Sequence, residues 1–154
     1  MKPMMSEREI TIISLLLEPW YDVFEWGSGG STVFFSSLVK SWVSYEHDPE
    51  WIKKVQKEMV GNTRVVLVKE KKHYINPEGR YDFILIDGLH RKECLHKAMT
   101  MLKPGGSILL HDSERLEYKD WVNDFPNLCL VKGEIPEDKT HYKHRGLRLY
   151  ENDS

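Results

Sequence analysis

The chain has 154 residues, 30% of them charged, and a formal net charge of −2 at pH 7 with the histidines neutral. This length suffices for one α/β core but not for two, so we expect a single domain over residues 1–154. A near-neutral charge provides no broad basic face, which argues against a nucleic-acid partner and favours a small-molecule substrate.

Apolar segments are short throughout the sequence. The longest, residues 10–17, is interrupted by Thr11 and Ser14 and falls far below the roughly 20 residues that cross a bilayer. No apolar core followed by small residues stands near the start, so no secretory signal is expected. The sequence therefore predicts a cytoplasmic protein without membrane spans.

The first predicted elements are a helix, a strand and a glycine-rich turn. Ser6 and Glu9 match a capping box, and apolar residues recur at helical spacing until Pro19, which predicts a helix at about 6–18. A strand over residues 21–26 then runs into the turn, where Ser31 is a candidate cap for the next helix.

A second strand over residues 42–46 completes the first strand–helix–strand unit. Asp48 and Pro49 after it suit the cap and first position of a helix, which is expected to end at Gly61. Strands over residues 64–68 and 81–86 follow. The second of these is almost continuously apolar, as in a strand covered on both faces.

The second half of the sequence predicts a helix over residues 91–102, a strand over 107–110 and a short helix over 114–123. A strand over 128–132, a polar loop over 133–144 and a last strand over 147–150 complete the chain. Alternating helices and strands favour a doubly wound, mostly parallel sheet, whose ligands bind beyond the carboxyl ends of the strands.

The segment from Glu25 to Ser31, with sequence EWGSGGS, carries the strongest signal in the chain. Glycines there allow a sharp strand-to-helix turn and a close approach of a ligand to the backbone. Twenty-one residues after Glu25, Glu46 ends the second strand, where a carboxylate can accept hydrogen bonds from ribose hydroxyls. A dinucleotide site fits less well, because Gly27, Gly29 and Gly30 are followed by Val33 and do not give the G-x-G-x-x-G spacing.

These segments, together with residues 81–88 and the LKPGGS segment at 102–107, resemble successive motifs of class I S-adenosylmethionine-dependent methyltransferases. The resemblance covers roughly residues 20–113. It implies a seven-stranded sheet of order 3-2-1-4-5-7-6 with an antiparallel last strand, and S-adenosylmethionine as cofactor. The cofactor-binding residues that it implies are Glu25, Gly27, Ser28, Gly29, Gly30, Ser31, Glu46, His47 and Asp87.

Polar residues at the ends of the fourth and fifth strands are similar to the site of catechol-type O-methyltransferases. By this resemblance Asp87 and Asp112 are the ligands of a divalent metal such as Mg²⁺, and His90 is the base that takes the acceptor's proton. His90 is the first candidate for this base and His111 the second, and Asp87 is a third candidate catalytic residue. Metal dependence stays open, because Ser113 stands at the family's third ligand position.

The sequence thus predicts O-methylation of a small or carbohydrate-like acceptor. Two alternatives stay open: a module that binds the cofactor without catalysis, and a nucleic-acid methyltransferase. Each histidine also has a structural alternative, since His90 can cap a helix and His111 can bond within the sheet rim. Little sequence remains to cover the cleft, so a homo-oligomer could complete the pocket.

Overall fold

Residues 1–131 and 146–152 are described in the computed structural model, and they build one seven-stranded sheet. In chain order the strands are β1 (Asp22–Trp26), β2 (Ser41–Glu46), β3 (Thr63–Leu67), β4 (Tyr81–Ile86), β5 (Leu102–His111), β6 (Cys129–Leu130) and β7 (Leu147–Glu151). They lie in the order β3-β2-β1-β4-β5-β7-β6, and only β7 runs antiparallel to its neighbours. The predicted fold class and strand order are confirmed.

The helices connect the strands on both faces of the sheet. They are α1 (Glu7–Leu16), α2 (Gly30–Phe35), α3 (Pro49–Gln56), α4 (Lys71–Tyr74) and α5 (Arg91–Ala98). The first helix starts as predicted, because the Ser6 side chain accepts a hydrogen bond from the Glu9 backbone N–H and the Glu9 carboxylate accepts one from the Ser6 N–H. Asp48 likewise caps α3 by accepting bonds from two backbone N–H groups.

Three local predictions differ from the structure. Residues 114–123 form 3₁₀ turns at Leu116–Tyr118 and Val122–Asp124 rather than one α-helix, and Trp121 between them packs on both Tyr118 and Phe125. Helix α3 ends at Gln56 instead of Gly61, because turns there bring the Asn62 amide onto backbone carbonyls after α2. Leu102 begins β5 instead of ending α5.

Two apolar layers enclose the sheet. One contains Trp26, Ile86 and Leu95, under α5, and the other contains Trp42, Phe83 and Ile13, under α1. Because β1 lies between β2 and β4, the strand order reverses beside β1, and a crevice forms at the carboxyl ends of β1 and β4. Within the described residues, none of the helices has the length and apolar character needed to cross a bilayer.

Candidate active site at the switch point of the sheet

A cavity of about 280 Å³ opens at this crevice. Its floor is the turn from Gly27 to Ser31, and one wall is the indole of Trp51. The opposite wall is charged and contains Asp87, Arg91 and Asp112, from the ends of β4 and β5 and the start of α5. The chemistry of the cavity therefore changes from one side to the other.

The glycines in the floor have different structural roles. Gly27 has a φ of +89°, and a Cβ there would lie 2.5 Å from the backbone oxygen of Asp87. This glycine is needed so that the ends of β1 and β4 can approach each other. Gly29 has an extended backbone, and its nearest neighbour would be Trp51 at 3.6 Å, an ordinary contact distance. The missing side chain at Gly29 therefore leaves room in the cavity.

Gly30 faces an N-terminal strap, which we define as residues 1–5. A Cβ on Gly30 would lie 2.1 Å from the carbonyl oxygen of Lys2, so only glycine permits this crossing. Pro3 is buried, and Met1, Met4 and Met5 line the cavity. The strap therefore explains why residue 30 is a glycine, and because Gly30 also lines the cavity, its contact with a cofactor stays a prediction.

Glu25 lies beneath the glycine turn and is fully buried. Its carboxylate accepts hydrogen bonds from the hydroxyl groups of Ser31 and Thr32 and from the indole N–H of Trp42, and the Thr32 hydroxyl accepts one from the Gly29 N–H. Burial raises the pKa of Glu25 to about 7 although these donors oppose the shift. Glu25 holds the turn in shape from behind, and Ser31 serves as its donor instead of capping α2, whose cap is Gly29.

Glu46 holds the same turn from its other side. One carboxylate oxygen accepts bonds from the backbone N–H and hydroxyl of Ser28, both at 3.1 Å, and the other accepts bonds from the backbone N–H groups of His47 and Asp48 at 2.9 and 3.0 Å. The His47 ring also lies 3.1 Å away and is half exposed. Glu46 is 4% exposed, and these bonds occupy the acceptor positions of its carboxylate.

A buried ion cluster forms the opposite wall. The His111 ring lies between the carboxylates of Asp87, 2.9 Å from Nδ1, and Glu9, 3.2 Å from Nε2, and Asp112 is 3.6 Å from Nδ1. Burial alone would lower the pKa of this imidazole, but the three acids outweigh it and raise the pKa of His111 to about 10. Burial likewise opposes ionisation of Asp87, yet the charges of His111 and Arg91 keep its pKa below the ordinary value.

Two arginines complete the cluster. Arg91 is buried, and its guanidinium donates to the carbonyls of Gly88 and His111 and to the Asp87 carboxylate. Arg115 donates to Asp112 at 3.2 Å. The cluster therefore contains three carboxylates and three cationic side chains, so its charges balance. The carboxylates belong to Glu9, Asp87 and Asp112, and the cations to His111, Arg91 and Arg115.

This charge balance disagrees with the metal site that the sequence suggested. Asp87, His111 and Asp112 do place one ligand atom each within 4.8 Å of one another. Both carboxylates, however, already bind cations, and Ser113 is buried with its hydroxyl donating to Glu114. Mg²⁺ prefers several free oxygen ligands. The residues present do not fit a divalent metal, and no step is assigned to one.

His90 lies outside the cavity, in the groove beside it. It stands at the cap position of α5 with a φ of +51°, but its side chain makes no capping hydrogen bond. The ring packs edge-on against Tyr74, 5.9 Å between centroids. The structural alternative of helix capping therefore does not account for His90, while the hydrogen-bonded alternative describes His111 well.

Several residues of the site were not predicted from the sequence. Trp51 lines the cavity and donates its indole N–H to the Ser28 carbonyl at 2.6 Å. Arg91 and Arg115 carried no motif, Glu9 was predicted only as part of a capping box, and only the fold brings these residues together. The polar loop predicted over residues 133–144 lies outside the described residues.

Comparison with solved structures gives many matches to this fold. A methyltransferase from Pyrococcus furiosus aligns over 97% of this chain and 84% of its own, with 16% identity and a TM-score of 0.71. The N-methyltransferase NodS from Bradyrhizobium japonicum in complex with S-adenosyl-L-homocysteine aligns over 96% of this chain and 88% of its own, with 14% identity and a TM-score of 0.68. An rRNA methylase from Streptococcus thermophilus aligns over 96% of this chain and 95% of its own, with 15% identity and a TM-score of 0.68.

The chain has the methyltransferase fold. Its sequence matches no protein-family model and no curated protein. Identities of 14–16% establish the architecture alone, and the similar proteins include both an N-methyltransferase and an rRNA methylase. The fold therefore does not fix the acceptor, which has to be argued from the site.

Proposed function

We propose that this protein is an S-adenosylmethionine-dependent methyltransferase that methylates an oxygen of a small or carbohydrate-like acceptor. The observation that carries the proposal is the glycine-floored cavity at the β1–β4 switch point, beside the carboxylate that ends β2. Similar proteins of this fold have S-adenosyl-L-homocysteine bound, which supports the same ligand here.

The cavity residues suit the two ends of such a cofactor. Backbone groups of Gly27 to Ser31 and the indole of Trp51 would hold it from the floor and side, since the missing side chain at Gly29 leaves space there. Glu46 would bind the ribose hydroxyls, with His47 near the adenine. Because Ser28 now uses one Glu46 oxygen, binding would require the Ser28 hydroxyl to give up that position.

Bound S-adenosylmethionine supplies a methyl group on a cationic sulfur, so that the S–C bond breaks as the new O–C bond forms. The acceptor hydroxyl must lose its proton to become a good nucleophile, and we propose His90 as the base that accepts it, because His90 lines the adjoining groove. His111 already carries a proton near neutral pH and is buried, so it does not suit the role of second base. Its part, with Asp87, is to hold the charged wall in position.

The test is release of S-adenosylhomocysteine from S-adenosylmethionine across a panel of hydroxylated acceptors. His90→Ala should lower turnover at least about a hundredfold and leave cofactor affinity unchanged, since general bases contribute this much or more. His96→Ala is the matched control, because His96 is an exposed histidine of the same helix. Unchanged turnover in His90→Ala would refute the base assignment, and inactivity with every acceptor would favour a binding module.

A further inference from the structure

We propose that the groove beside the cofactor cavity is an acceptor site for a hydroxylated aromatic carboxylate. This aromatic groove, of about 400 Å³, is lined by His90, Lys92, Arg115, Tyr118 and Trp121, together with Arg91. The inference rests on the proposed function, because the groove is an acceptor site only if the methyl donor lies in the neighbouring cavity.

The aromatic groove and the cofactor cavity adjoin each other. Arg91 and Arg115 line both of them. One side of the groove is the start of α5, which follows β4, and the other is the 3₁₀ segment that follows β5. Because β4 and β5 are neighbours in the sheet, a ligand in the groove lies at the same edge as the cavity.

Apart from the His90 ring, the polar side chains that have no partner among the described residues of this groove are hydrogen-bond donors. Within residues 1–131 and 146–152, the Trp121 indole N–H, the Tyr118 hydroxyl and the Lys92 ammonium have no hydrogen-bond partner. The Nε of Arg115 is buried and also lacks a partner in this part of the chain. Such a set is suited to a ligand rich in acceptors, and a carboxylate above all.

The two acids of the groove each have a cationic partner. Glu93 pairs with Lys71 at 3.8 Å, and Glu117 pairs with Arg115 at 3.3 Å. Glu117 is exposed, so its pair with Arg115 is weak and a ligand carboxylate can replace it. A guanidinium that exchanges one carboxylate for another pays little additional desolvation.

The aromatic side chains define the second part of the ligand. Tyr118 and Trp121 are partly exposed, with ring centroids 4.9 Å apart, and Trp121 is packed from behind by Phe125. The Arg91 and Arg115 guanidinium carbons lie 5.8 Å from the Tyr118 ring centroid, which fixes that ring in place. Rigid aromatic faces beside cationic donors recognise a planar ring that carries an anionic group.

The experiment measures binding by ligand-detected NMR and calorimetry on the full chain, with and without saturating S-adenosylhomocysteine. The probes are salicylate, phenol, which lacks the carboxylate, and glucuronate, which lacks the aromatic ring. We expect saturable binding of salicylate at least about tenfold tighter than of either comparison ligand. Equal binding of phenol, or of glucuronate, would overturn the proposed ligand class.

Variants locate the site. Arg115→Gln and Trp121→Ala should each weaken salicylate binding about tenfold or more, whereas Trp20→Ala, at a tryptophan that is 65% exposed and far from the groove, should leave it unchanged. Arg115 is partly exposed, so Arg115→Gln tests the site even if Trp121→Ala does not fold. Salicylate binding that is unaffected by Arg115→Gln would overturn the proposal.

The two proposals fail in distinguishable ways. Protein that binds S-adenosylhomocysteine but shows no saturable binding of salicylate overturns the aromatic acceptor site and leaves the methyltransferase proposal standing. Protein that is folded but does not bind S-adenosylhomocysteine overturns the proposed function, and with it this inference.

Discussion

The two sides of the cavity use carboxylates in opposite ways. On the side of β1 and β2, Glu25 and Glu46 accept hydrogen bonds almost entirely from neutral donors, namely hydroxyls, an indole and backbone N–H groups. On the side of β4 and β5, Asp87 and Asp112 pair with imidazolium and guanidinium groups. One side is thus a hydrogen-bonded turn, and the other is an ion cluster.

This difference sets the charge of each buried group. Without a cation nearby, burial raises the pKa of Glu25 to about 7. Asp87 is held below its ordinary pKa by His111, and His111 in turn is held above its own. Glu25 therefore changes its charge near neutral pH, whereas Asp87 and His111 are both ionised there.

The largest expected effect follows from removing the cation at the centre of the cluster. His111→Ala leaves Asp87 and Glu9 buried without their shared partner, so the free energy of unfolding should fall by about 3–5 kcal/mol. Urea denaturation at neutral pH measures it. His73→Ala, at an exposed histidine, should change stability by less than about 0.5 kcal/mol. Equal losses of unfolding free energy in the two variants would show that His111 stabilises the fold no more than an exposed histidine does.

The second effect is a pH dependence of the free energy of unfolding, to which Glu25 on the turn side and His111 on the charged side contribute in different pH ranges. Glu25 has a raised pKa in the folded state, so its stabilising contribution is complete below pH 4.5 and is lost as pH rises to about 7. At 1.36 kcal/mol per pKa unit, this loss amounts to about 3 kcal/mol. His111 gives a corresponding loss at higher pH, between about 6.5 and 10.

Glu25→Gln should therefore flatten the stability profile between pH 4.5 and 7 and leave the decline above neutral pH in place. Urea denaturation midpoints measured between pH 4.5 and about 10 give the stability of each chain as a function of pH. An identical slope at low pH in the variant and the parent chain would contradict the assignment of that slope to Glu25.

A smaller effect is expected at the hydrogen-bonded turn. Trp51→Phe keeps an aromatic ring at this position but removes the indole N–H that the Ser28 carbonyl accepts, and loss of this hydrogen bond should cost about 1 kcal/mol of stability. Trp20→Phe is the control, since Trp20 is exposed. Thermal unfolding of the two variants compares them. A loss of several kcal/mol in Trp51→Phe would mean that the turn is as rigid as the ion cluster.

The smallest effect concerns metal. Because Asp87 and Asp112 already have cationic partners, millimolar Mg²⁺ or a chelator should shift neither the unfolding temperature nor the affinity for S-adenosylhomocysteine. A clear rise in unfolding temperature with Mg²⁺ would show that the metal displaces these partners.

Local sequence signals predicted the turn side of the cavity better than the charged side. The capping box at Ser6, the strand–turn–helix around Gly27 and the acid at Glu46 are contiguous patterns, and resemblance to a methyltransferase family supplied the strand order. By contrast, the Glu9–His111 contact joins residues 102 positions apart, and no local pattern reports it. The strap over Gly30 is another long-range contact of this kind.

Calorimetric titration of S-adenosylhomocysteine into the folded chain and into Gly29→Ala tests directly whether the glycine turn holds the cofactor. We expect saturable binding, weakened at least about tenfold in Gly29→Ala because the new methyl group enters the cavity. Stability should change by less than about 1 kcal/mol, since the Gly29 backbone is extended. Folded protein that shows no saturable binding, or a Gly29→Ala variant that binds as tightly as the parent chain, would contradict the claim that this turn holds the cofactor.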